Sequence, residues 1–140
     1  MVAPESSSKK WLVYADGASR GNPGPASVGA VIYDGSGREV HAVSQRIGRA
    51  TNNEAEYRAA IAGLEAALAL GAKDVELRMD SELAVRQLNG AYKVRNPSLR
   101  KLFGRVKDLQ WRFAAFHVKH VRREQNRRAD QLANQALDTP

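Results

Sequence analysis

The order of apolar patterns predicts an α/β fold, an antiparallel meander followed by strands that alternate with helices, and three observations carry it. Between Trp11 and Ile47, three strand-like runs are joined by short turns. Thr51-Asn52-Asn53-Glu54 is a capping box that opens a long helix. A further strand pattern, Val75 to Met79, follows that helix, and a strand reached through a helix runs parallel to an earlier one.

At 140 residues the chain has the length of one domain with a real core. It contains no cysteine, which excludes disulfides, thiolate zinc sites and cysteine nucleophiles and accords with a reducing compartment. Neither a long uncharged apolar run nor a signal-peptide core occurs, so a soluble, cytoplasmic monomer without membrane contact is expected. Residues 1–10, with the Ser6-Ser7-Ser8 tract, read as a flexible leader, 11–138 as a single domain and 139–140 as a tail. The net charge is +7, and many of the basic residues lie in the second half. Such an excess fits a polyanionic partner and a solubilising surface equally well. Low aromatic content argues against base-stacking platforms of the single-strand-binding type.

Trp11-Leu12-Val13-Tyr14-Ala15 shows no polar alternation, as suits a central strand covered on both faces. Asp16 is expected where that strand stops. The loop from Gly17 to Pro25 then places a carboxylate beside backbone that can approach a ligand closely. Asp-Gly is also a common turn dipeptide, so this position alone decides nothing. Val28 to Tyr33 reads as the second strand, Asp34-Gly35-Ser36-Gly37 as its turn, and about Arg38 to Ile47 as the third strand.

In the helix after Thr51, the residues Tyr57, Ile61, Leu64 and Leu68 form the buried stripe and Gly71 ends it. Glu56 falls on the margin of that stripe beside Ala60, Gly63 and Ala67, small residues that let the helix lie close to the sheet and bring Glu56 near strand ends. Glu54 and Glu65 read as solvated. Val75 to Met79 leads into Asp80-Ser81, which opens a helix to about Leu88, stopped by Asn89-Gly90. With this strand beside the first, Asp16 and Asp80 stand together at the carboxyl ends of parallel strands, where open α/β sheets bind ligands. Helix N-capping is the competing role for Asp80.

Asn96-Pro97 starts a further helix with the stripe Leu99, Leu102, Phe103, Val106 and Leu109. Trp111 to Lys119 reads as the last strand, with Trp111, Phe113 and Phe116 as packing groups. Lys119 to Gln125 reads as a basic loop carrying His120. The final helix starts after Asn126, with Ala129, Leu132, Ala133, Ala136 and Leu137 inward and Asp130 in its early turns, where the helix dipole favours an anion.

Asp16, Glu56, Asp80 and Asp130 thus stand at element ends that this topology can bring to one edge of the sheet. Crowded carboxylates repel and need cations. Oxygen donors without histidine or cysteine point to Mg²⁺ or Mn²⁺ rather than zinc. Two such ions roughly 3.5–4 Å apart can activate a water and stabilise the leaving oxygen of a phosphodiester, which gives the basic surface a partner.

With DGASRGNPGP, TNNEAEY, MDSE and HVKHVRREQNRRADQLA in this order, the chain closely resembles the type 1 ribonuclease H family over nearly all of its length after Lys10. The resemblance implies a ribonuclease H-like fold, a five-stranded mixed sheet of three antiparallel and then two parallel strands, flanked by helices. It implies endonucleolytic hydrolysis of the RNA strand of RNA·DNA hybrids, leaving 3′-hydroxyl and 5′-phosphate ends, with two Mg²⁺ or Mn²⁺ ions per site once substrate is bound. By position, Asp16, Glu56, Asp80 and Asp130 match the family's metal-binding carboxylates. His120 matches its mobile-loop histidine, which assists proton transfer or product release. Asn22, Asn52 and the backbone at Gly17 match positions that touch the minor groove and the RNA 2′-hydroxyls. Thr51 and Asn53 match a pocket for a DNA-strand phosphate, with Lys93 or Arg95 expected at its border.

Two departures from the family pattern stand out. Glu82 occupies a position where glutamine is frequent, and Gly90 to Ser98 is too short for the basic protrusion with which several members grip the hybrid. A compact, free-standing form without an N-terminal hybrid-binding domain is therefore expected, holding substrate through distributed Arg and Lys. Two other classes share or approach the fold. A non-catalytic hybrid-binding module would gain by losing negative charge that faces phosphates, which the four acids contradict. A DNA nuclease, transposase or resolvase is disfavoured by Glu56 on the first helix and by the TNN segment.

Overall fold

The structure is a computed structural model that describes residues 9–139, so the expected leader lies outside the described residues except for Lys9 and Lys10. Five strands, β1 (Trp11–Ser19), β2 (Gly24–Tyr33), β3 (Glu39–Ala50), β4 (Asp74–Met79) and β5 (Ala115–His120), form one sheet in the order β3-β2-β1-β4-β5. β1 pairs antiparallel to β2 and β2 to β3, while β1 pairs parallel to β4 and β4 to β5. This is the expected mixed sheet, with the apolar Trp11 run at its centre.

The helices are α1 (Asn52–Ala69), α2 (Glu82–Leu88), α3 (Pro97–Gln110) and α4 (Arg127–Asp138), the last preceded by a 3-10 turn at Arg123–Asn126. Successive residues of β2 show the two layers. A Cβ on Gly29 would collide with the main chain of α4 at Ala129 and Ala133, whereas Ala30 lies against Gly63 of α1. Val13 and Ala15 of β1 are fully buried in the core. Lys10 is tied down rather than loose, its Nζ 3.3 Å from Glu76 Oε1.

The capping box forms at the start of α1. Thr51 Oγ1 accepts from the Glu54 amide at 3.2 Å, and Glu54 Oε1 accepts from the Thr51 amide at 2.8 Å. Tyr57 and Leu64 are buried as expected, but Ala55, Ala59, Ala60, Gly63 and Ala67 are buried with them, while Ile61 and Leu68 pack only at the margin. Small residues therefore make the centre of this contact. A Cβ on Gly63 would stand 2.6 Å from Val13 Cγ1, so the helix axis can sit this low only because that atom is missing. The Tyr57 hydroxyl, pushed up to about 12 by burial, donates to Gln87 Oε1 of α2 at 2.6 Å.

Two boundary expectations are corrected. The last strand begins at Ala115, not at Trp111, because the helical stripe of α3 runs on to Gln110 and residues 111–114 form a turn. Trp111 follows as the residue that caps α3; it is 80% exposed and is not a packing group, whereas Phe113 is buried and stacks on Phe116 with centroids 6.1 Å apart. β3 runs past Ile47 to Ala50, delivering the chain directly to the α1 cap.

Candidate active site

Asp16 is not at the end of β1. The antiparallel ladder with β2 carries the strand through Asp16, opposite Gly29, to Ser19. What ends nearby is the parallel ladder with β4, whose last pair is Tyr14 with Arg78. β4 itself stops at Met79, and Asp80 follows. Asp80 does not cap α2; that role belongs to Ser81, whose Oγ accepts from the Ala84 amide at 3.2 Å. The Asp80 carboxylate thus remains available beside Asp16.

Glu56 arrives from the first turns of α1 because the helix start is pressed onto β1. A Cβ on Gly17 would collide with the main chain of Ala55 and Glu56, so only glycine permits this approach. Asp16, Glu56 and Asp80 each offer an oxygen, and these oxygens lie within 4.8 Å of one another. Asp130, from the first turn of α4, joins the other three in lining one cleft, together with Gly17, Asn52, Asn134 and Arg123. All four expected acids therefore meet.

The electrostatics of this cleft are adverse without a cation. Asp16 is 6% and Glu56 9% exposed. Burial first, then the charges of Glu56 and Asp80, push the Asp16 carboxyl far above the usual carboxylate range. Burial, then the charge of Asp80, likewise raises Glu56, partly offset by the nearness of the Asp16 carboxyl and the Gly17 amide. Glu56 Oε2 is buried with no hydrogen-bond partner, and no ion pair reaches any of the four acids among the described residues. An orphaned carboxylate oxygen in an all-oxygen donor set fits a hard divalent cation.

Asn126 is the functional residue that sequence reasoning missed. Its Nδ2 donates to the Ala15 carbonyl at 3.0 Å and to Asp80 Oδ2 at 3.3 Å, linking the backbone beside Asp16 to Asp80. In sequence it reads only as the residue after which the last helix starts, and in the structure its side chain makes no capping bond. Arg123 was likewise hidden within a basic run, and only the 3-10 turn places it on the cleft.

The remaining expected residues scatter more widely. His120 is the last residue of β5, paired with Met79, exposed and outside the lining of the cleft. Asn22 Oδ1 accepts from the Asn52 amide at 3.1 Å, joining the glycine-rich loop to the helix start. A groove at the start of α1 is lined by Arg49, Glu54, Arg58, Ser98 and Lys101, and neither Thr51 nor Asn53 is among its lining residues. Lys93 and Arg95 are exposed in the connection between α2 and α3 and do not line that groove. Glu82 pairs with Arg86 on the surface of α2 at 3.3 Å.

Comparison with known proteins gives a consistent result. The sequence signature of the family described as reverse transcriptase-like matches residues 14–136. Ribonuclease HI of Halobacterium salinarum is 53% identical over 125 residues, 89% of this chain and 63% of that protein. The chain thus spans less than two thirds of that relative, and 36% of the bifunctional protein Rv2228c of Mycobacterium tuberculosis. The crystal structure of RNase H1 from Halobacterium salinarum superposes with a TM-score of 0.90 at 51% identity, covering 92% of this chain and 98% of that one. LC11-RNase H1, solved in complex with an RNA/DNA hybrid, superposes with a TM-score of 0.86 at 44% identity, covering 91% and 96%. The sheet order, the meeting of the acids and these likenesses agree: the chain belongs to the reverse transcriptase-like family, as a type 1 ribonuclease H domain.

Proposed function

We propose that the chain is a ribonuclease H, a cytoplasmic and monomeric endonuclease that hydrolyses the RNA strand of RNA·DNA hybrids and leaves 3′-hydroxyl and 5′-phosphate ends. The observation that carries this reading is the packing of Asp16, Glu56 and Asp80 oxygens within 4.8 Å of one another, with Glu56 Oε2 buried and unpartnered. Asp16, Glu56, Asp80 and Asp130 would hold two divalent ions, Mg²⁺ or Mn²⁺, when substrate is bound. Such ions supply an activated water and neutralise charge on the leaving oxygen.

The chain's own groups do the rest. Asn126 holds Asp80, and the close seating of α1 at Gly17 holds Glu56 near it, so the acids meet a phosphodiester already positioned. His120, exposed at the end of β5, would pass a proton to the leaving oxygen or help release product. Asn22, Asn52 and the backbone at Gly17 would read the minor groove, where the 2′-hydroxyl distinguishes RNA. Thr51 and Asn53 would take a DNA-strand phosphate, with Lys93 or Arg95 further out. The hybrid bound by LC11-RNase H1 supports the choice of substrate.

The test is cleavage of end-labelled hybrid, duplex DNA, double-stranded RNA and single-stranded RNA by wild type and Asp16→Asn, with Mg²⁺ and with chelator. Hybrid cutting by wild type alone, abolished by chelator, is expected. Undiminished cutting by Asp16→Asn would falsify the assignment.

A further inference from the structure

Beside the end of α4 lies another groove, lined by Arg20, Arg46 and Arg49 with Pro25, Gly48 and Leu137 between them. No acid is among its lining residues, and all three arginines are exposed. Arg46 is held in place: its Nε donates to the Ala136 carbonyl at 2.8 Å and its Nη2 to that of Leu137 at 3.2 Å. Arg49 has no ion-pair partner among the described residues. Arg20 pairs with Asp138, the two side chains being 49% and 64% exposed. A pair so open to water holds weakly and yields to a competing anion.

This groove adjoins the acid cleft along two stretches of chain. Ala18 and Ser19 line the cleft, and Arg20, the next residue, lines the groove. On α4, Asp130 and Asn134 line the cleft, and Asp138, one turn beyond Asn134, reaches Arg20. Residues recurring every fourth position share one face of a helix. Asn134 Nδ2 donates to Asp130 Oδ1 at 3.2 Å, so that face is continuous where it leaves the cleft. Eight residues of helix carry it about 12 Å from Asp130 to Asp138. Asp138 does not serve the helix itself, because an anion at the last residue of α4 opposes the macrodipole. Its ion-pair partner among the described residues is Arg20.

Resting on the ribonuclease reading, we propose that this groove takes a further phosphate of the strand being cut, with Arg20 as the group that grips it and Asp138 as the anion it displaces. The planar guanidinium fork suits a phosphodiester at two points. Arg46 and Arg49 keep the groove cationic whether or not Asp138 stays on Arg20, so an incoming phosphate competes for Arg20 on favourable terms. A strand rising roughly 3.4 Å per phosphate, and winding as it rises, covers the distance from the acids in about two or three nucleotides. Asp138 thus keeps Arg20 in position in the free chain and gives it up when nucleic acid arrives. Substrate grip then extends beyond the acids on the side of α4.

The first test is fluorescence-anisotropy titration of labelled RNA·DNA hybrid with wild type, Arg20→Ala and Asp138→Asn, in chelator and over a series of NaCl concentrations, so that nothing is cut. Arg20→Ala should bind about fivefold more weakly, with a log–log salt slope shallower by about 0.9, the share of one phosphate. Asp138→Asn removes the competitor and should bind about threefold more tightly. A pair that only fastened α4 would give both variants the same sign, so opposite signs mark the phosphate contact. The second test uses Mg²⁺ and a hybrid whose cut strand carries one methylphosphonate after a 2′-deoxynucleotide, against the same deoxynucleotide with an ordinary phosphate. Wild type should lose cutting about fivefold at the bond two or three nucleotides away, on one side only, and Arg20→Ala should not respond. An unchanged slope for Arg20→Ala, or weaker binding by Asp138→Asn, overturns the groove. The same loss from a methylphosphonate in the uncut strand overturns the choice of strand. Wild type that cuts no hybrid overturns the ribonuclease reading instead, and the titrations still judge Arg20. Should Arg20→Ala unfold, Asp138→Asn and the methylphosphonate on wild type decide.

Discussion

Gly17 and Glu56 sit main chain against main chain, closer than any side chain on Gly17 would permit. One glycine thereby sets the depth of α1 on the sheet and, with it, how near an acid comes to Asp16. Gly17→Ala must push the helix start outward. A loss of about 3 kcal/mol in denaturant unfolding is expected, with hybrid cleavage lost even where the fold survives. A variant as stable and active as wild type would show that the seam is soft.

The acid cluster predicts a pH dependence for the metal-free chain. Asp16 and Glu56 bind protons more tightly folded than unfolded, since burial and mutual repulsion raise both. Their contribution to stability is therefore fully present below the ordinary carboxylate value near pH 4 and is lost as pH rises through the elevated folded values. Tm measured in chelator should fall from about pH 4 up to about pH 10, through about 8 for Glu56 and about 10 for Asp16, and Mg²⁺ should restore most of the loss at the upper end. Asp16→Asn should flatten the profile and raise Tm in chelator. A wild-type profile as flat as that of the variant would remove the basis for this account.

Asn126→Ala leaves the Ala15 carbonyl and an Asp80 oxygen short of a donor. We expect a loss of about 1–3 kcal/mol from the unsatisfied acceptors. Activity should fall through kcat more than KM, because the amide positions Asp80 rather than touching nucleic acid. Steady-state kinetics on hybrid, compared with Asn126→Asp, separates the two parameters.

Trp111 offers a contrast among the tryptophans. Being 80% exposed, it should tolerate Trp111→Ser with a change within about 0.5 kcal/mol, read by chemical denaturation. Trp11, packed against the core cluster at the start of β1, should not.

Much of this was legible in the sequence wherever chemistry repeats with a local period. The capping box at Thr51, the Asn96-Pro97 start, the unbroken apolar run of β1 and the stop at Gly71 each rest on a few neighbouring residues, and each appears where expected. The four acids were found because each adjoins a recognisable start or stop. What escaped depends on contacts across the sheet. β1 outlasts Asp16 because β2 continues the ladder, which no property of β1 reveals. Trp111 looked like a strand residue because an aromatic next to a helix end carries no sign of which way it faces. Asn126 passed for no more than a helix boundary because its partners, Ala15 and Asp80, are distant in the chain.

The helix that bears Asp130 is fastened at both ends to the same edge strand. Arg128 near its start forks onto Glu39, and Arg46 at its finish donates to the carbonyls of Ala136, Leu137 and Thr139. β3 therefore works as a splint. The fourth acid keeps its station by virtue of residues on the rim of the molecule that never meet it, and damage to that splint would blunt the cleft from afar while every carboxylate stayed intact.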